Sequence, residues 1–192
     1  MTDFYVGPHQ SQYQAGASAI TRTSGCTWTA GANGIDDSTG GHQKPTPDAL
    51  HNKLPRSHET NPATPGWSLP DLHTASVLWG VAFIDRTNVG YAGVTGWNGL
   101  KRALAAGRYV VAQGDSDQFS NSTCSGAFNG DHAIGISPKT RVVAAGRQHW
   151  IDDGICKTGR WEYDAVIYRY CKKLAGSGPL RWGAFVAAVP KV

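Results

Sequence analysis

The sequence predicts an α+β protein with a helical N-terminal part followed by an antiparallel β-sheet. Three observations carry this reading. Apolar residues of the first half recur at helical spacing behind capping residues, and the second half holds short β-branched runs separated by turns. The 24 glycines and 10 prolines among 192 residues add a demand for many turns and loops. This length suits a single domain over residues 1–192 and is short for two.

Residues 1–25 are polar and rich in small side chains, so an irregular N-terminal segment is expected. A helix follows from Cys26 to Ile35. Gly31 and Gly34 are poor helix formers, and their presence implies that this helix packs closely on a neighbour. Thr46 as cap, Pro47 in the first turn and Leu50 and Leu54 four apart signal a second helix, stopped by Pro55. After a Pro-rich loop from His58 to Gly66, Ser68, Pro70 and Asp71 open a helix that runs through Leu72 and Leu78 to Gly80. Val81-Ala82-Phe83-Ile84 reads as a buried strand. Thr95 with Trp97, Leu100 and Leu104 forms an amphipathic helix ended by Gly107.

In the second half, Tyr109-Val110-Val111-Ala112, His132-Ala133-Ile134-Gly135-Ile136, Arg141-Val142-Val143 and Gln148-His149-Trp150-Ile151 read as strands. Asp164 caps a helix bearing Ile167, Cys171 and Leu174 and closed by Gly176. Residues 175–192 are expected to be a C-terminal extension, with a last strand between Trp182 and Val189.

The net charge is +4, and the only adjacent basic pairs are Lys101-Arg102 and Lys172-Lys173. Such scattered charge argues against nucleic acid as a partner. No segment has the apolar length to enter and cross a bilayer. Met1-Thr2-Asp3-Phe4-Tyr5 lacks the basic and apolar regions of a secretory signal. Folding in a reducing cytoplasm is therefore expected, with Cys26, Cys124, Cys156 and Cys171 as free thiols. No CxxC pair occurs, and His42, His51, His58 and His73 lack ligand spacing, reading instead as solvated loop residues. Asp115-Ser116-Asp117 begins like a calcium loop, but Phe119 stands where an oxygen ligand is required. No metal and no cofactor are expected.

The chemistry centres on Cys26, in Ser24-Gly25-Cys26-Thr27-Trp28. A thiol at a helix N-terminus meets unpaired N–H groups and the positive end of the helix dipole, which favour thiolate. His132 opens a strand among small residues that leave room for a ligand, and it can take the thiol proton. A carboxylate of Ile151-Asp152-Asp153-Gly154 can orient that imidazole. Asp152 and Asp153 point to opposite faces of a strand, so one faces His132 and the other is a solvated loop acid. Cys124 is a rival nucleophile without a helix behind it, and His149 is the alternative base. Tryptophans such as Trp67, Trp97, Trp150 and Trp161 can line a groove for sugars or peptide, although most will be core.

Three boxes resemble those of the bacteriocin-leader (double-glycine) peptidases, a papain-like group also found in phage lysins of actinobacterial hosts. They are Ser24-Gly25-Cys26-Thr27, Gly130-Asp131-His132-Ala133-Ile134-Gly135-Ile136 and Trp150-Ile151-Asp152-Asp153-Gly154. In that group the third box continues as Asp-Pro with a later Arg-Trp. Asp153-Gly154-Ile155 and Arg160-Trp161 are similar, which favours Asp153 over Asp152. Gly25-Cys26-Thr27-Trp28 also resembles the nucleophile box of amidase/peptidase domains that cut cell-wall peptides. The resemblance implies a papain-like fold and a phage cysteine endopeptidase acting on peptidoglycan, either an endolysin module or a tail-associated lysin. It would be made in the host cytoplasm and act at the cell wall, or travel with the virion beside other tail proteins. One departure stands out. Where the papain group carries an oxyanion-hole Gln before the nucleophile, this chain has Ile20, with Gln10, Gln12 and Gln14 further upstream. A virion structural or tail protein using a peptidase-like fold for assembly or binding is the alternative, and a peptide- or glycan-binding module a third.

Overall fold

The structure, a computed structural model, describes residues 4–54, 67–86, 91–119, 131–172 and 185–190. Among the described residues the chain is α+β, with six helices and one six-stranded antiparallel sheet. The helices are α1 (Ala19–Ser24), α2 (Cys26–Ser38), α3 (Pro47–His51), α4 (Leu69–Ser76), α5 (Gly96–Ala105) and α6 (Asp164–Lys172). The strands are β1 (Val81–Asp85), β2 (Val110–Asp115), β3 (Asp131–Val143), β4 (Gly146–Asp153), β5 (Arg160–Tyr163) and β6 (Phe185–Pro190). Their order across the sheet is β1-β6-β2-β3-β4-β5. No helix among the described residues is long and apolar enough to cross a membrane.

The predicted caps form. Thr46 accepts from the Ala49 N–H, and Ser68 and Asp71 make a reciprocal capping box at the start of α4. Gly80 takes a left-handed conformation, φ 73°, after a short 3₁₀ turn at Val77–Trp79. The segment expected to be irregular contains α1. Six residues are too few to be helical alone. Here Ser18 caps the Thr21 N–H, and Asp48 of α3 accepts from the Ser18 N–H at 2.9 Å and from the Thr21 hydroxyl. Tertiary contact therefore makes this helix.

Two predicted strands fuse into the 13-residue β3, whose pairing with β4 shifts register between Ile136 and Thr140. Pro138 lies in that interval and has no N–H to give a ladder, which suits a bulge. β6 is no extension. It lies inside the sheet between β1 and β2, with Val186 and Ala188 in one core and Phe185 and Ala187 in the other, the all-apolar pattern of a strand buried on both faces. Residues 55–66, with the expected Pro-rich loop, and residues 173–184, with Leu174, Gly176 and Trp182, lie outside the described residues.

Helices cover both faces. Trp28, Ile35, Leu50 and Leu72 pack with Phe83, Tyr109, Val111 and Val186 on one side. Leu100, Leu104, Ile167 and Tyr170 pack with Val110, Ile134, Ile136 and Ile151 on the other. The glycines of α2 allow the close approach inferred from them. A Cβ at Gly31 would collide with Leu72 of α4, and one at Gly34 would stand 2.6 Å from the Tyr109 ring and 2.8 Å from Phe83.

Candidate active site

Three elements meet at Cys26. Gly25 joins α1 to α2, and its N–H bonds the Thr21 carbonyl at 3.0 Å. A Cβ there would strike that carbonyl, so the tight junction requires glycine. Cys26 is thus the first residue of a 13-residue helix, half-buried and unbridged. The junction is pinned from below by the Trp28 indole N–H on the Thr21 hydroxyl (3.0 Å) and the Thr27 hydroxyl on the Trp67 carbonyl (3.1 Å).

His132 stands near the start of β3 opposite Gly114 of β2. Its carbonyl and the Ala112 carbonyl, the latter at 3.0 Å, share the single proton of the Tyr170 hydroxyl. The small residues near His132 make room for protein side chains rather than a ligand. A Cβ at Gly135 would overlap the Tyr109 hydroxyl, and one at Gly114 would stand 2.8 Å from the Tyr170 ring. The imidazole reaches Asp153 through Nε2, 2.8 Å from Oδ1, and is coupled electrostatically to the neighbouring Cys26 sulfur. With Nε2 committed to the carboxylate, Nδ1 is the nitrogen left to exchange a proton with the sulfur.

The electrostatics follow from this chain of contacts. Burial pushes the Cys26 thiol up. The hydrogen bond and charge of His132, with the Ala133 N–H and the Thr27 side chain, outweigh burial and leave it below its ordinary value. Burial opposes charge on His132, yet the hydrogen bonds to Asp153 and then Cys26 raise it to about 9. For Asp153 burial is overcome by His132 and Arg160, which hold the carboxyl far below the usual range. The Arg160 Nη1 lies 3.0 Å from Asp153 Oδ2, and the Ile155 N–H donates to Oδ1 at 3.2 Å. These shifts favour charge separation between the Cys26 sulfur and the His132 ring, beside a carboxylate kept ionised.

Asp152 does not share that role. Strand alternation turns it away from His132, and it is buried (2%) rather than a solvated loop acid. It accepts from the Tyr109 hydroxyl at 2.9 Å and the Trp150 indole at 3.2 Å, and it bonds His9 Nδ1 at 3.0 Å. His149 lies elsewhere, with Nδ1 3.2 Å from the Ser137 carbonyl and Nε2 3.3 Å from Asp164. The rival Cys124 falls outside the described residues.

Two further expectations are corrected. Cys156 is disulfide-bonded, so the four cysteines are not all free thiols; spacing alone does not report pairing. His51 is buried, stacked 4.4 Å from Trp28 and 5.6 Å from Trp67, because α3 packs its last turn on α2. Among the described residues no group of three or more His, Cys, Asp or Glu side chains is placed to hold a metal.

Two of the three glutamines upstream of the nucleophile end on backbone carbonyls. The Gln10 side chain ends on the Pro45 carbonyl (3.0 Å). Gln12, buried, donates from Nε2 to the Arg22 carbonyl (3.1 Å) beside the α1–α2 junction. Arg160 was visible as part of the third box, whereas Tyr109 read only as a strand residue and His9 as one more polar position. The chain matches no protein-family model and no curated protein.

Proposed function

We propose that this protein is a papain-like cysteine endopeptidase that hydrolyses peptide bonds through Cys26, His132 and Asp153. One observation supports the reading: an imidazole 2.8 Å from a buried carboxylate is electrostatically coupled to a thiol at a helix N-terminus. The Cys26 thiolate attacks the scissile carbonyl carbon. The His132 imidazolium gives its Nδ1 proton to the leaving amine as the C–N bond breaks. Neutral His132 then takes a proton from water, whose oxygen attacks the thioester carbonyl; the C–S bond breaks, the acid leaves, and the Cys26 thiolate and His132 imidazolium are restored. Asp153 holds Nε2–H throughout and stabilises the charged ring.

The resemblance of the three boxes to peptidases of phage lysins supports bacterial wall peptides as substrate, in an endolysin module or a tail-associated lysin. Digestion of purified peptidoglycan tests this. The wild type is expected to release new amino termini, and Cys26→Ala and His132→Ala to release none above background. Equal release by wild type and Cys26→Ala would overturn the assignment. Inactivity of all three on wall material with activity on a peptide library would remove only the wall substrate.

A further inference from the structure

The polar segment ahead of α1 crosses α2 and grips the last turn of chain around Asp153, from the end of β4 into the bend that follows. The Gly7 N–H donates to Asp37 Oδ1 at 2.7 Å, and Asn33 of α2 exchanges two hydrogen bonds with the Gln10 backbone at 2.8 and 3.0 Å. Beyond α2, His9 bonds the Asp152 carboxylate through Nδ1 and the Cys156 carbonyl through Nε2, each at 3.0 Å. Between those two anchors, the Ser11 hydroxyl and the Gln12 N–H donate to the Gly154 carbonyl at 2.9 and 2.8 Å. Residues 152, 154 and 156 are thus held by this segment, and Asp153, between them, is held by His132 and Arg160.

We propose that His9 is a positioning residue for the peptidase reading given above, seating Asp153 against His132 by clamping the chain on either side of it. The contacts single out His9, because its ring is one rigid body bonded both before and after Asp153. A strap made only of backbone contacts would fix one point. The His9 side chain is sealed from solvent (6% exposed), and Asp152 at its other end also takes Tyr109 and Trp150. Loosening either end lets the Asp153 carboxylate drift from Nε2, and drifts well under 1 Å matter for a preorganised hydrogen bond.

The test compares wild type with His9→Gln and Ser11→Ala. Two readouts are used: the low-field proton resonance of His132 Nε2–H, and the pH midpoint at which iodoacetamide alkylates Cys26, located by peptide mass mapping. A structural strap alone would lower the melting temperature and move neither. With His9 acting on Asp153, His9→Gln shifts the resonance upfield and raises the alkylation midpoint. Alkylation at pH 6 then slows about threefold to tenfold. Ser11→Ala, which keeps the His9 clamp, is expected to behave as wild type in both. An unchanged resonance and midpoint in folded His9→Gln overturns the proposal, as does an equal shift in Ser11→Ala. If His9→Gln does not fold, His9→Asn, which shortens the reach to one anchor, is judged by the same two readouts. Sluggish Cys26 alkylation in the wild type would defeat the peptidase reading alone, since the His132 resonance still reports whether His9 seats Asp153.

Discussion

His132 Nε2 and Asp153 Oδ1 lie 2.8 Å apart with both side chains closed to solvent, and their hydrogen bond is the largest influence favouring the charged form of each. Replacing Asp153 by Asn keeps the shape and removes the charge. His132, held at about 9 in the native protein, then falls toward its ordinary range, and the Cys26 thiol rises because its cationic partner is lost. Hydrolysis is expected to drop by about a hundredfold or more, with the folded state retained. A steady-state assay beside the alkylation midpoint of Cys26 checks both halves.

The pH profile separates two steps that share Cys26. Hydrolysis needs the His132 proton for the leaving amine, so its rate falls as pH rises through about 9. Alkylation needs only the thiolate and stays high there. Divergence of the two curves on the alkaline side is the expected result, and parallel curves would mean that His132 is not the acid.

Arg160 stands between the site and the fold. Its guanidinium pairs with the solvent-free Asp153 at 3.0 Å and lies 4.8 Å from the centre of the Phe119 ring. Arg160→Met leaves a buried carboxylate with one cation fewer and is expected to cost about 3 kcal/mol. A urea titration measures this. Arg160→Lys recovers part of the loss, because the ammonium restores charge but not the planar stacking.

Asp37 gives the protein an unusual stability profile. Burial, then the neighbouring Asp152 carboxylate, raise its carboxyl to about 8 against the Gly7 and Ser137 hydrogen bonds. Because the folded value lies above the unfolded one, the stabilisation is complete below about 4 and is lost as pH rises through about 8. Asp37→Asn, which keeps an acceptor for the Gly7 N–H, is expected to raise the melting temperature at pH 8.5 and change it little at pH 4.

Gly34→Ala pits two effects against each other. Alanine gains about 1 kcal/mol of helix propensity. Its Cβ would stand 2.6 Å from Tyr109 and 2.8 Å from Phe83, rings that are 1% and 0% exposed and have nowhere to move. Overpacking of this kind costs about 1–3 kcal/mol. The clash therefore wins, and thermal denaturation should show net destabilisation.

Most of the framework was legible in the chain itself. Thr46-Pro47 and Ser68-Pro70-Asp71 announce helix starts through local hydrogen bonds, and the glycines of α2 announce a close neighbour without naming it. Features that depend on distant partners were not legible. α1 exists because Asp48 grips it, β6 is an inner strand because both its faces find cores, and β3 is continuous across Pro138 because β4 tolerates a register shift. At the site, residue types and order suggested Cys26, His132 and either aspartate. Strand alternation told that the aspartates diverge, but only the third box of the resemblance favoured Asp153. Nothing local told that Asp152 would be buried against His9, since that contact spans 143 positions.

The bridged Cys156 lies three residues beyond Asp153, donates its N–H to the Asp153 carbonyl at 2.9 Å and has its sulfur 3.0 Å from Arg160. Cys26, by contrast, acts only as a thiolate in the proposed peptidase reaction. The molecule therefore makes opposite redox demands within one neighbourhood. Strong reductants added to protect the nucleophile would open the bridge beside its carboxylate, and oxidants that preserve the bridge would cap the nucleophile. Working preparations call for a mild, bulky or short-lived reducing agent, and storage history becomes a variable of activity in its own right.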